Sequence, residues 1–295
     1  MLDYSLLEAV EAVVETGSFH KAASKLRITQ SAISQRVAHL EDQIGAPVIV
    51  RENPPKATRI GIQLIHHLRE VRLKENELDL TSLDNNNTGW AQLVLGANAD
   101  SAATWFFEAL SSELIKRRIV VKLLVETDVY VHSLIERGEA QGCVMGRRKA
   151  LPGCENIKLG SLKYTCVCTP MFRNTWFKKG FTKELALAAP SVLFDQHDTI
   201  QHQFLLKKFG IRNPIFPHHT VNSASGFLAL LCSSCGYGMA PRMQIEGHLK
   251  RSELIELAPN CIIESELYWM YPRRSSSAFS ALWTVLEVSA KNLLK

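Results

Sequence analysis

Ser31, Ser34, Gln35 and Arg36 lie within the run TQSAISQRVAHLEDQIG, from Thr29 to Gly45. Its apolar residues Ile33, Val37, Leu40 and Ile44 are spaced four, three and four apart, which is one face of an amphipathic helix. At about 100° per residue, Ser31, Gln35 and Ala38 point away from that stripe, with Ser34 and Arg36 flanking them. Hydroxyl, amide and guanidinium groups on an outward helix face can hydrogen-bond base edges in a DNA major groove. The same face would also suit a helix that only meets water. A second group of residues could bind a small molecule. Asp100, Ser101 and Thr104 fall in NADSAATW, Asp128 in ETD, Asp195 and Asp198 in FDQHD, and Asn222 and Ser223 in VNSAS. The carboxylates could hold an ammonium or guanidinium, and hydroxyls near helix starts could hold a carboxylate. Together they suit a cationic amino acid, although Asp and Ser at such junctions also serve as plain N-caps.

The elements around these residues decide what each group can do. Thr29 predicts an N-cap and Gly45 a helix stop. Before them, HKAASKL (His20 to Leu26) predicts a short helix with Ala22, Ala23 and Leu26 turned inward, joined by Arg27-Ile28-Thr29. Small alanines let two helices cross closely, giving a helix-turn-helix whose second helix enters the major groove by its N-terminal end. Thr29, Gln30, Ser31, Ser34, Gln35 and Arg36 are then the DNA-contacting candidates. Tyr4 to Thr16 predicts a supporting helix with Glu8, Glu11 and Glu15 facing away from DNA. Pro47 to Arg51 predicts a strand and Glu52 to Lys56 the tip of a wing, with Arg51 and Lys56 as phosphate contacts. Residues 20–59 hold seven Lys and Arg against three Asp and Glu, a sign suited to a polyanion.

Thr58 predicts the start of a long helix to about Leu80. Gly61, Leu64, Leu68, Val71 and Leu78 make a thin, near-heptad seam, interrupted at Glu75, that suits pairing with a second copy. A homodimer, with tetramers open, follows as the expectation. Residues 83–89 read as a linker. From Trp90, short apolar runs alternate with helical stretches in two series, implying parallel sheet with helices on both faces and two subdomains joined by two crossovers near Leu162–Cys166 and Glu266–Trp269. The expected fold is an N-terminal all-α winged helix-turn-helix with a long linker helix, then an α/β periplasmic-binding-protein-like sensor of two subdomains. The expected divisions are 1–58, 59–89 and 90–295, the last split into about 90–163 with 268–295, and about 164–267.

The run AASKLRITQSAISQRVAHLEDQIGAPVIVR, followed by Thr58-x-x-Gly61-x-x-Leu64, resembles the N-terminal region of LysR-type transcriptional regulators. Ile49 stands where that family usually carries Phe. The blocks NADSAATW, VETD, ALPGC, FDQHD, VNSAS and MAPRMQIE resemble the family's ArgP- and LysG-like branch. The resemblance implies double-stranded DNA as partner and lysine or arginine as effector, controlling export or metabolism of basic amino acids. The sequence departs from that branch near Ser225, where no acidic residue stands. Alternatives are an architectural or replication-origin DNA-binding protein without ligand control, and a thiol-redox regulator.

The whole chain limits these readings. Its 295 residues allow two or three domains, and 46% apolar with 21% charged residues suits a soluble protein. The start MLDYSLLEAVEAV lacks a basic secretory n-region, and no apolar run nears the roughly 18 residues of a membrane span, so a cytoplasmic protein without membrane contact is expected. Seven cysteines, all between Cys143 and Cys261, suggest reduced thiols, mostly buried. Cys232 and Cys235 have CxxC spacing without a second pair, and His66-His67 and His218-His219 lack a ligand set, so no metal is expected. No cofactor fingerprint such as GxGxxG occurs at a strand–helix junction, and no nucleophile–base constellation coheres, so an enzyme is not expected.

Overall fold

The computed structural model describes residues 2–77, 90–136, 139–146, 151–273 and 277–294. The first helix, α1 (Tyr4–Thr16), is capped by the Asp3 side chain and stopped by Gly17 in the left-handed region. Ser18 caps α2 (Phe19–Leu26), and Thr29 caps α3 (Gln30–Ile44) by accepting from Ala32 N at 3.2 Å. Ala22 and Ala23 are buried where α2 meets the other helices, as the close crossing requires. The wing is a short antiparallel pair, β1 (Ile49–Val50) and β2 (Lys56–Ala57). Then comes α4 (Arg59–Glu77), whose first turn is fixed by Thr58: its hydroxyl accepts from Gly61 N and donates to Pro47 O. Gly61 has to be glycine, because a Cβ there would lie 2.1 Å from the Val48 carbonyl oxygen.

The N-terminal core gathers Leu7, Val10, Val13, Ile33, Val37, Leu40, Val48 and Ile49. Ile65 and Leu68 of α4 are buried in the same core, with Leu64 packed against it. This corrects the reading of the α4 seam. Its N-terminal half is taken up by the chain's own head, so only later residues remain for a second copy; Leu78 lies outside the described residues.

The second region begins with β3 (Ala91–Ala97), α5 (Ala99–Ala103), α6 (Phe106–Lys116), β4 (Ile119–Val125), α7 (Asp128–Glu136) and β5 (Gly142–Gly146). A long strand, β6 (Cys154–Cys168), leads to α8 (Pro170–Trp176) and α9 (Lys183–Ala188), two short helices absent from the sequence reading. Next come β7 (Ser191–Leu193), α10 (Ile200–Phe209), β8 (His218–Thr220), α11 (Ala224–Cys232), β9 (Gly238–Pro241), α12 (Arg242–Lys250) and β10 (Ile255–Glu256). The chain returns through β11 (Ile263–Pro272) and ends in α13 (Ser277–Leu293).

The main sheet runs β10-β6-β11-β5-β3-β4, with β9 also on β6. Its β4-β3-β5 part is parallel, while β11 is antiparallel to β5 and β6, and β6 antiparallel to β9 and β10. The sheet is therefore mixed where the sequence reading expected parallel strands. The two long strands β6 and β11 run through both lobes, pairing from Ile263↔Tyr164 to Pro272↔Cys154 with a bulge at Leu267/Tyr268. Trp105, Phe106, Trp269 and Trp283 fill the first lobe, and Phe177, Phe204 and Tyr237 the second, within one continuous apolar cluster. Gly160 of β6, at φ +152, lies where a Cβ would meet Leu294 Cβ at 2.6 Å.

Candidate functional site: DNA-reading face and acidic cleft

On α3, Gln30, Ser31, Ser34 and Gln35 are exposed and Arg36 is half-buried. Thr29 is exposed too, but its hydroxyl is engaged as the cap and with Ser31 Oγ at 2.9 Å. A hollow between the start of α3 and the wing is lined by Ser18, Gln30, Ser34, Arg51 and Asn53. Gln35 and Arg36 lie outside that hollow on the same helix. Glu41 anchors the wing: one carboxylate oxygen accepts from Val48 N at 2.9 Å and Ile49 N at 3.3 Å, and the other lies 3.7 Å from the exposed Arg51 guanidinium. Lys56 is exposed and pairs with Glu52 at 2.8 Å. Surface pairs of this kind are weak, so both cations can exchange their partner for phosphate.

Sequence reasoning placed Glu8, Glu11 and Glu15 away from DNA without a partner. The structure pairs them with Arg69 and Arg72, and Glu15 also with Lys25. Arg69 Nε donates to Glu11 Oε1 at 2.7 Å and Arg72 Nη1 to Glu11 Oε2 at 2.6 Å, while Arg72 also reaches Glu8 at 3.0 Å and Arg69 reaches Glu15 at 3.3 Å. Glu11 is buried. Beside this network, burial and the Arg69 charge push the His66 imidazole down to about 4. No sequence signal joins these residues, because more than fifty positions separate α1 from Arg69.

Between the two lobes of the second region lies a cavity of about 310 Å³. Asp100, Asp195 and Asp198 line it, joined by Glu126 and Tyr164, and no Lys or Arg does so among the described residues. Asp100 Oδ2 accepts the Tyr164 hydroxyl at 2.5 Å. Asp195 Oδ1 accepts His197 N at 2.7 Å. Asp198 accepts Phe194 N at 3.0 Å and Ile200 N at 2.9 Å, so it organises the turn before α10. Burial raises its carboxyl above the ordinary value, against those two backbone donors.

The remaining expected residues sit elsewhere. Asn222 and Ser223 line an adjoining hollow that shares Glu126, Thr127 and Phe194 with the cavity. Ser223 caps α11, accepting Gly226 N at 3.3 Å. Ser101 is fully buried behind the cavity, and its Oγ has no hydrogen-bond partner among the described residues. Thr104 closes α5 at its C-terminal end, not its start, and its hydroxyl donates to Asp100 O at 2.6 Å. Asp128 opens α7; its side chain lies outside the described residues. Of the ETD junction, Glu126 and Thr127 are on the cavity wall.

The chain joins a winged head, a long connecting helix and a two-lobed α/β domain. The description "Bacterial regulatory helix-turn-helix protein, lysR family" matches residues 4–62, and "LysR substrate binding domain" matches residues 91–290. The chain is a LysR-family transcriptional regulator. This LysR-family chain is 37% identical over 284 residues to the HTH-type transcriptional regulator ArgP of Pseudomonas aeruginosa, covering 96% of this chain and 94% of that protein. The crystal structure of ArgP from Mycobacterium tuberculosis superposes with TM-score 0.78 at 31% identity, covering 100% of this chain and 99% of that one. Full-length LysG from Corynebacterium glutamicum, with arginine bound as effector, superposes with TM-score 0.69 at 27% identity, over 100% of each chain.

The family's members are transcription regulators, not enzymes. Among the described residues no helix is long and apolar enough to cross a membrane, and no cluster of three His, Cys, Asp or Glu could hold a metal. The buried-thiol expectation holds for Cys143, Cys166, Cys168 and Cys261 but fails for Cys232, which is exposed, and for Cys154 and Cys235, which are half-buried. The helix α11 ends at Cys232, and the next turn carries Cys235 out of the apolar layer. Desolvation and Glu253 raise the Cys232 thiol above its ordinary value, which disfavours a reactive thiolate.

Proposed function

We propose that this LysR-family regulator is a cytoplasmic homodimer that senses a basic amino acid, arginine or lysine, to control that amino acid's export or metabolism. The observation that carries the reading is the cavity wall: Asp100, Glu126, Asp195 and Asp198 with no Lys or Arg among the described lining residues. An excess of negative charge in a partly desolvated cleft favours a cationic ligand, and the hydroxyl- and amide-bearing hollow around Asn222 and Ser223 suits its carboxylate. The bound arginine of LysG supports the same class. In this reading Gln30, Ser31, Ser34, Gln35 and Arg36 meet bases and backbone in the major groove, and Arg51 and Lys56 meet phosphate. Arginine changes DNA affinity or spacing only by binding one lobe arrangement more tightly than another.

Titration calorimetry of the full chain with arginine, lysine and glutamate tests the effector. Saturable heat with a basic amino acid, and none with glutamate, is the expected result. Heat with glutamate alone, or with none of the three, overturns the effector assignment and leaves the DNA-binding head standing.

A further inference from the structure

Tyr164 is not one of the acids on the cavity wall, yet it bears on them. Its ring is almost wholly buried, at 6% exposure, and its backbone is pinned on both sides, opposite Ile263 of β11 and Pro241 of β9. It therefore sits where β6 passes from one lobe to the other. From this rigid strand its hydroxyl reaches across to Asp100 Oδ2 at 2.5 Å, and both residues line the cavity. Asp100 stands on α5, a helix of only five residues, and its carbonyl already accepts Thr104 Oγ1 at 2.6 Å.

We propose that Tyr164 is a positioning residue for effector recognition, holding the Asp100 carboxylate ionised and oriented toward the ligand's cation; this rests on the basic-amino-acid reading above. A phenol donating to a carboxylate makes a short, charge-assisted bond that favours the ionised form. It also removes rotamer freedom that Asp100 would otherwise lose on binding. Because the donor lies on the strand shared by both lobes, the oriented carboxylate is referenced to the cleft axis and not to the short helix alone.

The test is arginine affinity as a function of pH for the wild type and Tyr164→Phe, which keeps the buried ring and removes the hydroxyl. The wall also carries Glu126, Asp195, Asp198 and His197, which titrate in both proteins, so the readout is the difference between the two profiles. Expected are an affinity about tenfold weaker at neutral pH, the size of a lost hydrogen bond to a charged group, and an acid limb moved to higher pH. Unchanged affinity overturns the proposal, and so does a weaker affinity with an unmoved acid limb, which packing alone would give. In a second arm Asp100→Asn should weaken arginine at least as much as Tyr164→Phe, and full-strength binding by that variant also overturns it. Absence of arginine and lysine binding by the wild type overturns the effector reading together with this proposal; wild-type binding with either contrary result above overturns only the role of Tyr164.

Discussion

In the head, Glu11 is enclosed by two arginines of its own chain, whereas in the cleft Asp100, Glu126, Asp195 and Asp198 face a cavity that no described Lys or Arg lines. The neutral donors that the structure gives the cleft acids, a phenol and backbone N–H groups, orient them without cancelling their charge. A buried charge enclosed by cations of its own chain acts in folding; acids gathered around a cavity act in binding. Removing an acid should therefore cost stability in the head and affinity in the cleft.

The largest expected effect follows from breaking the matched group. Glu11→Ala removes the buried carboxylate shared by Arg69 and Arg72, leaving them only Glu15 and Glu8, and should lower unfolding free energy by about 3 kcal/mol in urea titration. A loss under about 1 kcal/mol would erase the distinction between the two regions. The next effect concerns pH. His66 is held down to about 4 from an ordinary value of 6.5, so the unfolded chain takes up the proton first. Stability is then full above about pH 6.5 and falls as pH drops toward 4, by up to about 3 kcal/mol from this residue. Acid unfolding of His66→Gln should lack that component; an identical acid profile would place the sensitivity elsewhere.

On the DNA face, Gln35→Ala should reduce discrimination between operator and random DNA by about 1–3 kcal/mol, while Arg51→Ala should weaken both alike. Band-shift titrations on both DNAs separate these outcomes, and an unchanged ratio for Gln35→Ala would reverse the proposed orientation of α3. The smallest effect lies in the cleft. Asp195→Asn should weaken arginine about tenfold by calorimetry yet leave stability within about 0.5 kcal/mol. A variant that lost stability like Glu11→Ala would make Asp195 part of the scaffold instead.

Local patterns make the head legible in the sequence. Thr29, Gly45 and the 4-3-4 spacing of Ile33, Val37, Leu40 and Ile44 report on one helix and its own turns. The strand–helix junctions of the second region were readable for the same reason, and three of their acids, Asp100, Asp195 and Asp198, meet on one cavity. What stayed hidden depends on distant parts of the chain. Period-two alternation marks a strand but not its direction, so β6 and β11 turned an expected parallel sheet into a mixed one. The short helices α8 and α9 offered too few turns to register a period. The partners of Arg69 and Arg72 lie on α1, more than fifty positions away, beyond the reach of any local pattern. Nothing in the neighbours of Tyr164 along the chain points to its bond with Asp100.

The pairing of β6 with β11 also sets how this molecule can move. Two lobes joined by flexible tethers could slide or swing freely. Here the tethers are hydrogen-bonded to each other from Tyr164 to Cys154, so sliding would break the whole ladder at once. Twisting along the ladder costs far less, and the bulge at Leu267/Tyr268, opposite Gly160, is the point where the ladder is already irregular. Leu294 presses on Gly160 there, as a thumb rests on a torsion bar. The second region should thus respond to its ligand as a spring with one stiff axis. The tail of the last helix would then help set the torque needed to turn one lobe against the other.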